Sequence, residues 1–566
     1  MNGVVIIIIA IVVLLCAYLI YGRWLTKKWG IDPKAKTPAY TEYDGVDYVP
    51  AEKSVVFGHQ FASIAGSGPI NGPIQAAVFG WVPVLLWCLL GGVFFGAVQD
   101  FSAMYASVKN KGHSIGVIIE QYIGKVGKKL FLAFCWLFCI LVVAAFADIV
   151  AGTFNGFNTD GNQIASNASV ATTSILFIVA AVGLGFFLRK SKLPAWGNTI
   201  VAILILIACI ALGLTLPLYQ TTGFWLIFVF IYIFVASVVP VWALLQPRDY
   251  LNSYLLIVMI IAAVVGILVY NPDVNLAAFT SFEVDGQYLF PTLFVTIACG
   301  AISGFHSLVA SGTASKQIKN EKDMLPVSFG AMLMEVMLAV ISLVCVAFLA
   351  SGATIPEGNP PQIFASAIAT FLTKLGIPES FSTTLILLAV SAFGLTSLDS
   401  VARIGRLSFQ EFFINTDKSD EEQSIFTKIF ANKYVATALT LVLAFILAKR
   451  GYADIWPLFG SANQLLGALS LIACAVFLKH TKRQGWMLWV PMVCMLLITF
   501  SALGLKIASL VGSLMTAFDF GNALQLVFAV LLLALGVVVA IMGIKKLFMP
   551  VKKTDKAELE TAEEAK

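Results

Sequence analysis

The feature that most limits the possible folds of this chain is the recurrence of apolar runs. Runs of about 20 residues follow one another along nearly all of the sequence, separated by short polar stretches. An α-helix of about 20 apolar residues is long enough to cross the hydrocarbon core of a bilayer. Of the 566 residues, 59% are hydrophobic and 12% are charged, about half the charged fraction of a soluble domain. The sequence therefore excludes a soluble enzyme and predicts an all-α, polytopic membrane protein.

The apolar runs predict about fifteen membrane-spanning helices in one transmembrane domain, residues 1–550. The first is an extra N-terminal helix, residues 56–478 form the expected core, and residues 486–545 form C-terminal helices. The short apolar stretch 361–374 is predicted to be re-entrant or interfacial, and 551–566 to be a polar cytoplasmic tail. The predicted spans are 3–20, 56–80, 82–107, 129–154, 172–188, 196–216, 224–245, 251–270, 290–312, 327–350, 382–402, 434–449, 456–478, 486–506 and 522–545.

Loop charges predict the orientation, because Lys and Arg concentrate in the cytoplasmic loops of membrane proteins. An N-terminus outside and a C-terminus in the cytoplasm place most basic loops inside, with Lys449 and Arg450 as the exception. The basic runs assigned to cytoplasmic loops or the tail are RWLTKK, VKNKGH, RKSK, QPRDY, SKQIKNEK, RIGR, KHTKR and KKLFMPVKK.

Composition and motifs also limit the partners and cofactors. The net charge of +5 is spread over loops, with no basic stripe and interleaved aromatics, so no nucleic-acid partner is expected. The nine Cys show no CxxC or Cys/His metal spacing and are predicted to be apolar packing residues, so no metal or resident cofactor is expected. The four His supply no HExxH pair, and an enzyme is not predicted.

The segment IAGSGPINGP, residues 64–73, interrupts one predicted span. Pro69 and Pro73 remove two amide donors, and Gly66 and Gly68 allow backbone conformations that a helix forbids. Unwound backbone at membrane depth persists where it lines a cavity or is buried in protein. Its free carbonyls can bind a cation, and amides of a half-helix near 66–72 can bind a substrate carboxylate. The alternative is a proline kink packed against a helix of small residues.

A second span, 298–316, is also rich in Gly and Ser. The two interrupted spans carry one histidine each, His59 and His306. Two broken spans in corresponding positions point to inverted repeats around a site at the middle of the membrane. The segment 235–250, with Pro240, is the alternative second interruption.

Ionisable side chains inside spans are costly and are therefore candidates for function. Those nearer to helix ends, for which a structural role is equally expected, are Asp100, Arg403 and Asp454. The deeper ones, for which a functional role is favoured, are His59, Asp148, His306, Glu335 and Asp399.

The motif TSLDSVARIGR places Thr396 and Ser397 within a helical turn of Asp399. Hydroxyl oxygens suit a hard cation such as sodium. Asp399 has two other possible roles, carrying a transported proton or pairing with Arg403 one turn on. The choice between proton and sodium stays open.

Four motif groups give the chain a resemblance to the carbon starvation protein A family. They are FGHQFASIAGSGP with GAVQDF, ACGAISGFHSLVASGT with GAMLME, TSLDSVARIGR, and FGSANQLLGAL. The resemblance spans residues 1–550 and implies a bacterial inner-membrane transporter with a LeuT-type core and broken helices. It also implies peptide uptake during nutrient limitation or, as in similar proteins, import of pyruvate with protons. Within the fourth motif, Asn463 and Gln464 either line the pathway or join helices by hydrogen bonds.

The resemblance implies a site around the first broken helix, although this chain has Gln60 where the family often has a second histidine beside His59. The expected substrate-binding residues are His59, Gly66, Ser67, Gly68, Asn71, Ser303 and His306. The expected ion- or proton-coupling residues are Asp148, Glu335, Thr396, Ser397 and Asp399.

These features favour a secondary transporter over the other classes of membrane protein. A channel is expected to show a filter repeat or a ring of charge, and the sequence has neither. The leading prediction is import of peptides across the cytoplasmic membrane, driven by protons or sodium. A proton-coupled symporter for pyruvate or another small carboxylate is the alternative, and a nutrient sensor with a transporter-like core is the third possibility.

Overall fold

The computed structural model describes residues 2–45, 47–158, 160–190, 195–239, 245–414 and 424–550. These residues are mostly helical, as predicted, because a helix satisfies its own backbone hydrogen bonds in a medium without water. The one sheet among them is a two-stranded hairpin, β1 (Glu283–Val284) and β2 (Gln287–Tyr288), which pairs antiparallel with Glu283 opposite Tyr288. The predicted tail, 551–566, lies outside the described residues.

The α-helices are α1 Gly3–Cys16, α2 Arg23–Lys28, α3 Pro38–Thr41, α4 Lys53–Ile64, α5 Gly68–Ala76, α6 Trp81–Leu86, α7 Ala97–Lys109, α8 Ile115–Tyr122, α9 Lys125–Phe154, α10 Ala165–Lys190, α11 Ala195–Thr215, α12 Thr222–Val238, α13 Leu245–Tyr270, α14 Leu289–Thr296, α15 Gly304–Gly312, α16 Ala331–Leu349, α17 Pro360–Thr373, α18 Glu379–Phe413, α19 Ile425–Phe430, α20 Lys433–Ala448, α21 Tyr452–His480, α22 Trp486–Thr516 and α23 Phe520–Phe548. The π-helical segments are Ala17–Gly22, Trp87–Gly96 and Leu325–Gly330, and the 3-10 turns are Ala77–Phe79, Ala314–Lys316 and Glu321–Asp323.

Ten helices of the described part of the chain are long and apolar enough to cross a membrane, and three further apolar helices are shorter. The two predicted spans that contain the Gly-rich motifs, 56–80 and 290–312, are each divided into two helices. The stretch 361–374 forms α17, a shorter helix whose first turn is fixed by a capping box between Asn359 and Gln362.

The segment 235–250 falls partly outside the described residues. Helix α12 ends at Val238 and α13 begins at Leu245, so Pro240 is not described and the alternative interruption there stays a prediction. The run QPRDY was expected to be a cytoplasmic loop. It is instead the first part of α13, and the side chain of Arg248 within it is buried.

The long helices divide into a buried centre and an outer layer. The apolar stretch of α21 is 100% buried inside the protein, whereas that of the N-terminal span, Gly3–Lys28, is 33% buried. Helices α9 and α18 are also mostly buried, and α11, α22 and α23 expose apolar faces. Because a bilayer accepts apolar side chains, the outer faces suit contact with lipid, and the central helices hold the polar groups.

Both interruptions in the helices have a local cause. Helix α4 ends at Ile64, Ala65 is non-helical, and α5 begins at Gly68 with Pro69 in its first turn, where a missing amide donor costs little. Helix α14 ends at Thr296 and α15 begins at Gly304, so the second interruption is the segment 297–303. The sequence thus predicts where the chain leaves the helical conformation.

The two interruptions pack against each other, because glycines allow a close approach. A Cβ added to Gly68 would lie 2.5 Å from Cys299 Sγ. A Cβ added to Gly72 would lie 2.8 Å from the carbonyl oxygen of Thr296. These contacts bring the N-terminus of α5 to the start of the second interruption, so both interruptions face a common space.

Candidate functional site

A cavity lies where the two interruptions meet. Its polar part comes from the interruptions and from two central helices, and its apolar part is mainly aromatic. The lining residues are Ile64, Gly66, Gly68, Phe138, Val142, Phe146, Cys299, Phe305, His306, Ser397, Val401, Phe459 and Asn463. A buried, mostly apolar cavity with a few converging polar groups is the usual form of a small-molecule site.

The first interruption meets α18 at the cavity. A Cβ added to Gly66 would lie 2.5 Å from Ser397 Oγ, so this hydroxyl packs directly on the unwound backbone. Gly66, Gly68 and Ser397, all predicted site residues, therefore lie on one cavity wall. The positive end of the α5 dipole is at this wall, which is a favourable environment for an anionic group.

The second interruption is held by side chains from α7 and α21. Gln464 Nε2 donates to the carbonyl of Phe294 over 2.6 Å, and Trp456 Nε1 donates to that of Thr296 over 3.1 Å. Gln99 Nε2 donates to the carbonyl of Ser303 over 2.9 Å. The carbonyls of Phe294 and Thr296, at the end of α14, are thus already bonded, and that of Ser303 accepts from Gln99 in addition to the His306 amide.

Asn463 has both of the roles that the sequence left open. Its side chain lines the cavity. Its Oδ1 also accepts from the amide of Phe305 over 3.2 Å, and its Nδ2 donates to Ser303 Oγ over 3.0 Å. Asn463 therefore fixes the start of α15, whereas Gln464 joins α21 to α14.

The side chains around the first interruption are less completely bonded. Gln60, Ser67 and Asn71 are buried, and their side-chain nitrogen and oxygen atoms have no hydrogen-bond partner among the described residues. None of the three lines the cavity. A buried polar group without a partner costs about 1–3 kcal/mol. The binding role expected for Ser67 and Asn71 stays a prediction.

Three ionisable side chains meet beside the cavity, one each from α7, α15 and α16. His306 Nδ1 lies 3.0 Å from Asp100 Oδ2, a hydrogen bond whose donor depends on the tautomer of the ring. His306 Nε2 lies 3.2 Å from Glu335 Oε2. All three side chains are completely buried. His306 also lines the cavity, so the Asp100–His306–Glu335 triad is continuous with the candidate site.

Asp399 belongs to a second buried ionic cluster. Its Oδ2 accepts from Tyr232 OH over 2.8 Å and forms an ion pair with Arg248 Nη1. The expected alternative pairing with Arg403 is wrong. The Arg403 guanidinium instead donates to the carbonyls of Ala236 and Val239. These two carbonyls belong to the end of α12, where a cation is favourable.

Thr396 is hydrogen-bonded away from the cavity. Its Oγ1 accepts from Asn252 Nδ2 over 2.7 Å and donates to the carbonyl of Ala392 over 3.0 Å. Of the three residues proposed as a cation site, Ser397 alone lines the cavity. The guanidinium of Arg248 supplies the positive charge beside Asp399.

Two further predicted residues lie away from the cavity lining. Asp148 Oδ2 accepts from the amide of Tyr452 over 2.7 Å and so caps the N-terminus of α21, a structural contact. His59 lies on α4, half-buried, and is not among the lining residues.

Pattern reasoning missed several residues of the two clusters. Asp100 is not among the predicted site residues, because it lies near the predicted end of a span. Arg248 lies in a predicted loop, and a tyrosine such as Tyr232 in an apolar run carries no distinct signal. The available signal for Arg248 was an arginine next to Pro247, between two apolar runs.

Comparisons with known proteins agree with the motifs. The family described as carbon starvation protein CstA matches residues 2–358 and 352–502. The peptide transporter CstA of Bacillus subtilis (strain 168) is 33% identical, over 86% of this chain and 87% of its own length. The peptide transporter CstA of Escherichia coli (strain K12) is 30% identical, over 88% and 80%. The pyruvate/proton symporter BtsT of the same organism is 31% identical, over 89% and 81%.

Among solved structures, a manganese transporter mutant of Eremococcus coleocola aligns with a TM-score of 0.44 at 12% identity, over 91% of this chain and 99% of that one. The sequence matches extend over both interruptions, the triad and the Arg248–Asp399 cluster. The chain belongs to the carbon starvation protein CstA family.

Proposed function

We propose that this protein is a secondary active transporter that imports a small substrate bearing a carboxylate, with short peptides as the first candidates, in symport with protons. The observation that carries the proposal is the buried cavity at the meeting point of two broken helices. Two broken helices around a central cavity provide both a half-helix N-terminus for an anionic group and backbone that can rearrange. The relatives named as a peptide transporter and a pyruvate/proton symporter support the same class of activity.

The hydrogen bonds of the proposed cation site favour a proton over sodium as the coupling ion. Thr396 is bonded to Asn252, and Asp399 is paired with Arg248, so a sodium ion at this position would compete with a fixed guanidinium. The carbonyls of Phe294 and Thr296, which precede the second interruption, are also bonded to side chains. Proton transfer needs none of these oxygens, because ionisable groups lie elsewhere beside the cavity.

A second substrate, pyruvate or a similar small carboxylate, is favoured by the relative named as a pyruvate/proton symporter, which is 31% identical. The shared chemistry of the two candidates is a terminal carboxylate, which the N-terminus of α5 would bind near Gly66 and Gly68.

The proposed placement in the bacterial inner membrane has fifteen crossings, an external N-terminus and a cytoplasmic C-terminus. Ten long helices, three shorter ones and two broken pairs support the number of crossings.

We also propose a LeuT-type inverted repeat in which each repeat starts at a broken helix. Its support is that the span after each interruption, Trp81–Lys109 and Glu321–Leu349, contains a π-helical segment. The hairpin of α10 and α11 would then be an insertion in the first repeat.

Uptake into liposomes containing the purified protein tests the proposal and separates the two substrate classes. Labelled dialanine, trialanine and pyruvate are offered with an inward proton gradient, an inward sodium gradient or neither. We expect at least one substrate to accumulate above its external concentration under the proton gradient, and not under sodium alone. Protein-free liposomes are the control. Uptake that needs sodium, or no uptake of any of the three, would contradict the proposal.

A further inference from the structure

We propose that Glu335 carries the coupling proton, that His306 transmits the charge state of Glu335 to the substrate cavity, and that Asp100 positions the His306 ring. This inference rests on the proposed function, since it assigns the coupling step of that transporter. It gives a specific role to each member of the triad.

The triad is isolated from other charges. Asp100, His306 and Glu335 are completely buried, and none of the described lysines or arginines forms an ion pair with them. Of the other titratable groups described, the Cys299 thiol lies close enough to interact with Glu335. Without a fixed cation, the charge of the triad is set by the protons that its three members hold.

The two carboxyl groups differ in their hydrogen bonds. Asp100 Oδ2 is hydrogen-bonded to His306 Nδ1, so Asp100 fixes the orientation of the ring. The one polar contact of Glu335 among the described residues is that of Oε2 with His306 Nε2, at 3.2 Å, and Oε1 has no donor there. A buried carboxylate with so few donors is costly, and binding a proton removes its charge. Glu335 is therefore the member whose proton can be gained and lost.

The number of protons that the triad holds gives its net charge. With both carboxyls ionised and the ring protonated, the triad has one net negative charge, and one further proton on Glu335 makes it neutral. In the step between them, an O–H bond forms on Glu335 with a proton taken from water on one side of the membrane, and the same bond breaks when that proton passes to water on the other side. The His306 ring keeps both of its N–H protons, and its Nε2 stays 3.2 Å from Glu335 Oε2. One proton enters from one side of the membrane and one leaves to the other, so the transfer balances and needs no co-reactant.

His306 connects the protonation of the triad to the substrate, because it lines the cavity while its two ring nitrogens face Asp100 and Glu335. A substrate carboxylate next to His306 adds a negative charge, which favours a proton on the triad. By reciprocity, a protonated triad favours a bound carboxylate by the same factor. With a monoanion such as pyruvate, substrate and proton then move together without net charge, which lowers the cost of the crossing. A zwitterionic dipeptide and one proton carry one net positive charge.

Glu335→Gln tests the assignment, because it removes the titratable proton and keeps the shape. Two measurements are compared in liposomes: proton-driven accumulation, and counterflow, the exchange of labelled for unlabelled substrate without a gradient. We expect Glu335→Gln to keep counterflow and to lose accumulation, so that the internal concentration no longer exceeds the external one. Glu335→Asp, which restores a titratable group, is expected to recover part of the accumulation.

Ser342→Ala is the matched control, since Ser342 is buried on the same helix and its hydroxyl also has no partner among the described residues. Ser342→Ala should keep both accumulation and counterflow.

Asp100→Asn is expected to keep accumulation but to move the pH of half-maximal uptake, whereas a purely structural defect would lower uptake equally at every pH. Accumulation by Glu335→Gln at the parent level, or loss of its counterflow, would overturn the inference. Failure of the proposed function is distinct, because the parent protein itself would then show no counterflow.

Discussion

Replacing Arg248 with methionine is expected to lower the free energy of unfolding by about 3–5 kcal/mol, because the change leaves the Asp399 carboxylate buried without its cation. Asp399 is completely buried and Arg248 is 1% exposed, so water cannot replace the lost partner. Tyr232 OH would remain as a donor to Asp399, and one neutral hydrogen bond offsets a small part of the loss. Unfolding in mixed micelles of mild detergent and SDS measures the effect.

The double variant Arg248→Met with Asp399→Asn supplies the control, since it removes both charges from the same place. It is expected to recover most of the stability that either single variant loses, and the difference gives the coupling energy of the pair. Lys319→Met is a second control, because the exposed pair of Lys319 and Glu52 should contribute little. If both single variants unfold like the parent, the Arg248–Asp399 pair does not hold α13 against α18.

Replacing Gly304 with alanine is expected to destabilise the protein by about 1–3 kcal/mol and to lower transport, because the new methyl group has no space. Its Cβ would lie 2.5 Å from the carbonyl oxygen of Asn463 and 2.5 Å from the amide nitrogen of Gly467, and would also overlap Leu466. These are mainly backbone atoms of α21, which cannot rotate away. Helix α15 must therefore shift, and His306, two residues on, moves with it.

Gly312→Ala in the same helix is the matched control, because a Cβ at Gly312 meets no atom within 4 Å. It is expected to be neutral or slightly stabilising, as alanine restricts the unfolded chain more than glycine. Thermal unfolding in detergent and substrate uptake are measured for both variants. Equal behaviour of the two would show that the contact between α15 and α21 does not determine the position of His306.

The sequence predicted both helix interruptions, because each depends on residues within the interrupted segment itself. The Gly- and Pro-rich segment 64–73 predicted the interruption between α4 and α5, and the second Gly-rich span predicted that between α14 and α15. Gly and Pro act on the backbone within a turn of their own position, so their effects can be read without knowledge of the fold. The cavity-lining residues Gly66 and Gly68 were predicted for this reason, and Ser397 was predicted from its hydroxyl near Asp399.

Contacts between distant segments were predicted less well. His306 and Glu335 were each proposed for function, but their meeting with Asp100 depends on how three helices pack. Arg248 was assigned to the loop between two predicted spans, and its partner Asp399 is 151 residues away. Asp148 was proposed for coupling, although its carboxylate caps α21. Burial identifies a costly charge, but the partner decides whether that charge is structural or functional.

The central claim is that substrate and protons enter together, and substrate-driven acidification of liposomes tests it most directly. Liposomes containing the protein and an internal pH-sensitive dye are given dialanine or pyruvate at equal internal and external pH, with sodium absent. The account predicts that adding the transported substrate acidifies the interior, and that a protonophore abolishes the change. Uptake of labelled substrate without acidification would contradict the account.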